Sequence, residues 1–404
     1  MYVQIGIVMQ MVNNNAMKYF ILVLMMISTD LLSQQIRVAT FNVSMEADNY
    51  VSRDTAPRGD ELFVALASAK HPQIKNIAEI IQRTRPDIIL LNEFDYSADS
   101  QKGIQAFVTN YLNISQQGAE AISYPYFYLA PVNTGVDSGV DLNNDGLKSG
   151  KEGDAFGYGK YPGQYGMVLL SRYPIMTSDI RTFQQFLWKD MPNGLLTSIQ
   201  DPAGQQWYSS EAQSVFRLSS KSHWDVPVNV NGAVIHILAS HPTPPVFDGP
   251  ENRNGKRNHD EIRFWSDYIT GGNEAAYIYD DKEQKGGLRG KRFVIVGDLN
   301  SSQDEGDSIK SGIKGLLSHP KVMPDLLPRS KGAVENDPKN PISYSHTAAW
   351  KMQVDYVIVS KSGLLSSNAG VFWPTKDSNL YRLVESRKAS SDHRLVWVDL
   401  KIEQ

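Results

Sequence analysis

Four apolar runs of the sequence each end in a residue able to hold a cation or move a proton. The runs at 36–41, 87–91, 233–239 and 293–296 lead in turn to Asn42, to Glu93, to His241, and to the pair Asp298 and Asn300. Two later runs reverse the order: Asp355 lies at the start of the run at 354–359, and Asp392-His393 stands just before the run at 395–400. If those two strands run antiparallel to the first four, all these polar groups meet on one rim of the sheets, which is how a cleft gets its chemistry. Glu93, Asn42 and Asp392 are hard oxygen donors, and in a chain without cysteine they suit Mg²⁺, Mn²⁺ or Ca²⁺ better than zinc. Such a cation polarises a phosphoryl oxygen and offsets charge developing on the leaving group. Asp298 can orient or deprotonate an attacking water, with Asn300 fixing its geometry. His393 paired with Asp355 can donate hydrogen bonds to the non-bridging oxygens. The deduced reaction is hydrolysis of a phosphate ester.

Each residue alone has a plainer reading. Asn300, followed by Ser301 and Ser302, can cap a helix or turn, and Asp392-His393 can form an Asx-turn entering a strand. A lone His241 before Pro242 is more often a satisfied surface or core histidine. Jointly the pattern is harder to dismiss, because unrelated caps have no reason to put carboxylates, amides and imidazoles at strand ends of one sense.

A second motif lies at Asp141, Asn143, Asp145, Gly146, Leu147 and Glu152, which matches the D-x-[DN]-x-[DN]-G-x₅-E calcium loop in full. Glycines on both flanks exclude a helix-loop-helix hand, so it reads as a solitary structural Ca²⁺ loop over 141–152, with Asp154 as an alternative to Glu152. The alternative is an ion-free Asn/Asp/Gly turn. Basic residues follow His241, and among them Arg257 and Arg263 are candidate phosphate ligands, with a solvated helix face as the equal alternative. Trp188, Trp207, Tyr208 and Trp224 either wall a substrate pocket or pack an insertion.

The segments VATFNV, PDIILLNEFD, GMVLLSRYPI, ILASHP, FVIVGDLNS, QVDYVIVS and SSDHRLV resemble, in order, the endonuclease/exonuclease/phosphatase superfamily of metal-dependent, DNase I-like phosphoesterases. The resemblance covers about 36 to 401. It implies a four-layer sandwich of two mixed β-sheets flanked by helices. It also implies Glu93 as the principal ligand of Mg²⁺ or Mn²⁺, Asn42 and Asp392 as its support, Asp298 and Asn300 for water and phosphate, His393 with Asp355 as the histidine–carboxylate pair, and His241 as a second phosphate-contacting histidine. Two departures stand out: the usual Gln before the glutamate is Asn92, and the usual Asn-Thr-His-Leu is Ala239-Ser240-His241-Pro242. The family's members cleave nucleic acids, phosphoinositides and phospholipids, so the resemblance alone chooses no substrate.

The elements that must carry these residues read as strands interleaved with helices, an α/β or α+β fold. Ile74, Ile77, Ala78 and Ile81 have helical spacing ahead of Pro86, and Ile262, Trp265 and Ile269 repeat it over about 258–269. A single domain over 34–404 is expected, with long insertions at 131–164, 180–224 and 270–290. Residues 1–33 carry six of the 12 methionines, and from Met17 show a charged, an apolar and a small-residue segment, the pattern of a signal peptide cleaved near Ser33. Residues 1–16 read either as an over-long gene start or as an extended n-region. Export to the periplasm or medium is therefore expected, with no stable membrane anchor and a monomeric chain. The 404 residues balance 40 Lys and Arg against 44 Asp and Glu, which gives no field to gather a long polyanion. A small or head-group phosphoester is accordingly favoured over nucleic acid, with a secreted nuclease as the alternative. The rival of another class is a non-catalytic, calcium-bearing surface or binding module.

Overall fold

Aliphatic and β-branched runs covered on both faces have only one way to satisfy their backbones, and here they build two sheets. The structure, a computed structural model, describes residues 35–52, 54–324 and 326–403, so the expected signal peptide lies outside the described residues. The chain lays down β1 (Gln35–Met45), β2 (Ile88–Phe94), β3 (Tyr126–Tyr128) and β4 (Met167–Ser171). It then crosses to β5 (Arg181–Thr182), β6 (His223–Val230), β7 (Ala233–Ser240), β8 (Phe293–Asp298) and β9 (Asp355–Val359), and returns with β10 (Leu364–Val371) and β11 (Val396–Ile402). The first sheet has the order β10-β11-β1-β2-β4-β3 and the second β5-β6-β7-β8-β9.

Strand β1 is parallel to β2 and antiparallel to β11; β7 is parallel to β8, and β8 antiparallel to β9. Within each sheet, the strands whose polar residues lie at the end and those whose polar residues lie at the start therefore bring them to one rim. The two-residue alternation of a strand assigns the cores. Val294 and Val296 of β8, with Val357 and Val359 of β9, share a core with Val38, Phe41 and Leu91 of the first sheet. Phe293, Ile295, Tyr356 and Ile358 point the other way, onto Ile262, Trp265 and Ile269. Those three belong to the helix Arg253–Thr270, which starts earlier than its periodicity shows because its first turn is polar. The helix Pro72–Thr84 buries Ile74, Ile77 and Ile81 with the first sheet, and ends where Arg85 turns left-handed ahead of Pro86. Two mixed sheets flanked by helices result.

The aromatics of the 180–224 insertion pack against the cores, Trp207 only in part. Trp188 and Tyr208 lie in the outer core with Phe183, Phe186 and Phe216, while Trp224 belongs to β6 and the inter-sheet core. The 270–290 segment is pinned by buried Arg181, which pairs with Asp280 at 2.7 Å and donates to the carbonyls of Gln284 and Gly286. Among the described residues, no helix is long and apolar enough to cross a membrane.

Candidate active site

The second sheet supplies Asp298, His241, Asn300 and Asp355 of the candidate centre. Gly297 is glycine for a physical reason: its φ is +151°, and a Cβ there would run into the carbonyl oxygen of Ser240 on the neighbouring strand. That close approach brings the end of β8 against the end of β7, so Asp298 and His241 face each other, with Nε2 of His241 3.4 Å from Asp298 Oδ2. Nδ2 of Asn42 donates to the same oxygen at 3.1 Å, and the Asn300 N–H donates to Oδ1 at 2.9 Å. Asn300 itself sits at φ +51°, a region asparagine tolerates, and its Nδ2 donates to the Pro242 carbonyl.

His393 reaches in from the start of the last strand of the first sheet. Its Nδ1–H donates to Asp355 at 3.0 Å, and its Nε2 stands 3.5 Å from Asp298. Trp350 meets the imidazole edge-on, with ring centroids 4.8 Å apart. Burial alone would lower the His393 pKa, but carboxylates on both sides outweigh it and push it up to about 10, so the ring is an imidazolium at neutral pH. Burial acts to raise Asp298; the two imidazoles and the Asn300 N–H overcome it and hold the carboxyl well below its usual range. Burial lowers His241, helped by nearby Lys221. Donor atoms of Asp298, Asp355 and His393 lie within 4.8 Å of one another, a buried group that could hold a metal ion in place of the proton on the imidazole.

The metal-capable residues come from the first sheet. Glu93 ends β2 at φ +56°, a strained conformation for a non-glycine residue and one that proteins retain chiefly at functional sites. Its half-buried carboxylate makes no hydrogen bond or ion pair with a described residue. Beside it Glu46, which sequence reasoning missed, is fully buried, with Oε1 taking Asn49 and Arg387 and Oε2 unpartnered. Burial, then the Glu93 charge, raises the Glu46 pKa well above the carboxylate range. Arg387 also reaches Asp392 at 3.4 Å, and Asp392 Oδ1 accepts from Ser44. An idle carboxylate beside an orphaned buried oxygen is a place short of positive charge. Glu93 with Asp392, backed by Asn42 and Glu46, therefore fits an oxygen-seeking divalent cation. Asp95 is structural: it accepts from Ala47 N, Tyr161 Oη and Tyr165 N, and burial raises it to about 7. Asn92 takes the place of the family's glutamine and ties the sheets, its Oδ1 accepting from Asp298 N at 3.1 Å.

Two expectations from the sequence fall outside this cluster. Arg257 is buried and spends its guanidinium on the carbonyls of Leu218, Phe156 and Arg217; Arg263 spends its own on Pro192, Asn193 and Asp267. Both turn most of their donors toward the protein, because the helix that carries them uses its basic face to fasten the insertion. In the 141–152 loop, Asp141, Asn143 and Asp145 accept from backbone N–H groups within it. Leu147 and Glu152 are exposed, Glu152 at φ +52°, and the buried carboxylate that closes the loop is Asp154, accepting from Leu142 and Ser149. Lys221 and Glu261 were missed as well. Both are buried near His241, and no periodicity or motif marks them.

Residues 39–393 match the model of the endonuclease/exonuclease/phosphatase family. No curated protein matches the sequence. Among solved structures, the chain is similar to an endonuclease/exonuclease/phosphatase from Beutenbergia cavernae, with 15% identity, 91% of this chain and 72% of that one covered, and a TM-score of 0.48. It is similar to a sphingomyelinase C from Streptomyces griseocarneus at 13% identity, covering 91% and 99%, TM-score 0.42. A beta toxin from Staphylococcus aureus with bound magnesium ions aligns at 13% identity over 92% and 100%, TM-score 0.44.

Proposed function

Because the chain belongs to the endonuclease/exonuclease/phosphatase family, hydrolases that act on phosphate ester bonds, we propose that it is an exported, metal-dependent phosphoesterase that cleaves a small or head-group phosphoester by attack of water. One observation carries the reading. Two imidazole Nε2 atoms converge on one Asp298 oxygen at 3.4 and 3.5 Å, both longer than a good hydrogen bond, so neither ring is fully engaged by Asp298 and both can turn a donor to a phosphoryl oxygen seated beside it. Asp298, held this acidic, is a weak base, so its part is to orient the water with Asn300. The His393 imidazolium, fixed from behind by Asp355, presents a charge-assisted donor to a non-bridging oxygen. His241 presents a second. A divalent cation held by Glu93 and Asp392 supplies positive charge to the phosphoryl oxygen and to the departing oxygen.

The small substrate is supported by the balance of charge and by the engagement of Arg257 and Arg263 with carbonyls, which turns part of the basic cluster after His241 toward the protein and away from a polyanion. Export rests on residues 17–33 of the sequence. A panel of bis-p-nitrophenyl phosphate, p-nitrophenyl phosphate, inositol phosphates, phospholipids and plasmid DNA, each with and without EDTA, tests the reading. EDTA-sensitive turnover with higher kcat/KM on the small esters is expected. Strong, steeply salt-dependent cleavage of plasmid DNA makes the protein a nuclease instead, and no turnover leaves only a binding module. The reading includes structural Ca²⁺ at Asp141, Asn143, Asp145 and Asp154, supported by the loop pattern. Calorimetric titration should show a Ca²⁺ heat that Asp145→Ala abolishes, and equal heats in both proteins remove calcium from the loop.

A further inference from the structure

Lys221 stands two residues before β6 and is 5% exposed, yet its ammonium makes no hydrogen bond or ion pair with any described residue. Burying an ammonium costs heavily unless something answers its charge. Its backbone is held firmly in place. The Asn133 N–H donates to the Lys221 carbonyl at 2.9 Å, and Asn133 Nδ2 donates to the Ser219 carbonyl at 2.8 Å. Gly157 lies so close to the Ser220 carbonyl that a Cβ there would collide with it.

Glu261, from the helix Arg253–Thr270, clamps this segment beside His241. One of its oxygens accepts the Ser220 N–H at 2.7 Å and the other the Thr243 N–H at 2.6 Å. Glu261 is oriented by these backbone bonds, and it attracts the ammonium without bonding it. After Glu261, the strongest charges acting on Lys221 are Glu93 and Asp298, one from each half of the site, and Lys221 in turn is the cation that acts most strongly on His241. His241 Nδ1 is likewise buried without a partner. A firmly held, unpaired ammonium among the groups that surround the reacting centre lacks one thing, an anion.

We propose that Lys221 is a phosphate-binding residue whose ammonium donates to a non-bridging oxygen of the phosphoryl group seated against His241 and Asp298. The proposal rests on the phosphoesterase reading and deepens it: the scissile phosphate meets positive charge from the Glu93 side and from the side of the second sheet. A compact point charge suits a buried single contact, whereas the planar guanidinium of arginine places its donors in a different, forked geometry.

The test is calorimetric titration of the full chain with inorganic phosphate in the presence of Mg²⁺, for the wild type and for Lys221→Met and Lys221→Gln, each checked for folding by circular dichroism. The wild type should bind phosphate, and the variants should bind it at least tenfold more weakly while their Mg²⁺ affinity, measured without phosphate, stays unchanged. Equal phosphate affinity in either folded variant overturns the proposal, as does absence of phosphate binding by the wild type. If both variants fail to fold, Lys221→Arg carries the comparison, with the same tenfold weakening expected and wild-type affinity overturning the proposal. Kinetics keep the two readings apart. An active wild type should lose tenfold or more in kcat/KM on bis-p-nitrophenyl phosphate on Lys221→Gln substitution, with the Mg²⁺ for half-activity unmoved. A wild type that turns over no phosphoester sinks the phosphoesterase reading, and phosphate binding then decides Lys221 by itself.

Discussion

Asp298 is an anion because its neighbours are donors, and the same donors make it a poor proton acceptor. Its replacement and that of Glu93 should therefore fail differently. Asp298→Asn keeps the shape but removes the charge that balances two imidazoles, and turnover should fall by about a hundredfold or more at unchanged metal requirement. Glu93→Gln should leave a residual rate but raise the Mg²⁺ or Mn²⁺ needed for half-activity. Metal titrations of initial rate on both variants check this, and a shifted midpoint for Asp298→Asn with an unshifted one for Glu93→Gln would reverse the two assignments. At this scale the sequence was readable where a residue ended or opened an apolar run, as Asn42, Glu93, His241, Asp298, Asp355 and His393 do. Glu46, Lys221 and Glu261 act through burial by distant segments, and no local pattern records that. Arg257 and Arg263 misled for the converse reason, since a basic cluster looks the same whether it faces a ligand or a set of carbonyls.

Among the elements, the aliphatic runs of β1, β2, β4, β7, β8, β9 and β11 were legible; β3 and β5, of three and two residues, were too short to read, and the longer β6 and β10 were missed for other reasons. Strand β6 contains Pro227, which reads as a breaker; it is tolerated because its only lateral neighbour on that side is the two-residue β5 and the flanking segment at Pro174 to Met176. Strand β10 is rich in serine and asparagine because it is an edge, and a polar edge resists pairing with other chains. Strand β6 also opens with a buried titratable group. His223 donates through Nε2 to the Glu261 carbonyl at 2.8 Å, its Nδ1 faces Ser219 Oγ, and burial drives its pKa down to about 4. The folded state thus refuses a proton that the unfolded chain accepts below its ordinary value of about 6.5. His223 contributes nothing to pH dependence above that value. Stability is lost as pH falls from about 6.5 to about 4, by on the order of 3 kcal/mol for a shift of this size. Denaturant midpoints of wild type and His223→Gln across pH 4 to 7 measure it: the variant should show the shallower slope, and parallel curves would mean that His223 titrates normally.

At the scale of the whole molecule, neither sheet owns the proposed active centre. Glu93, Asn42, Asp392 and His393 come from one, Asp298, His241, Asn300 and Asp355 from the other, and Asn92 and Asn42 stitch them through Asp298. The inter-sheet core sets their spacing, and the outer core does not. Ile237→Ala, inside the seam, and Ile295→Ala, outside it, should each destabilise by about 2–5 kcal/mol. Only the seam variant should lose turnover at temperatures where circular dichroism still reports a folded chain; equal losses would show that the spacing is set elsewhere. The stitch at Asp298 thus acts as a strain gauge. A slip of a few tenths of an ångström between the sheets is invisible to spectroscopy of the backbone, yet it pulls the imidazoles off their common oxygen, so on warming, the enzyme should fall silent before it melts.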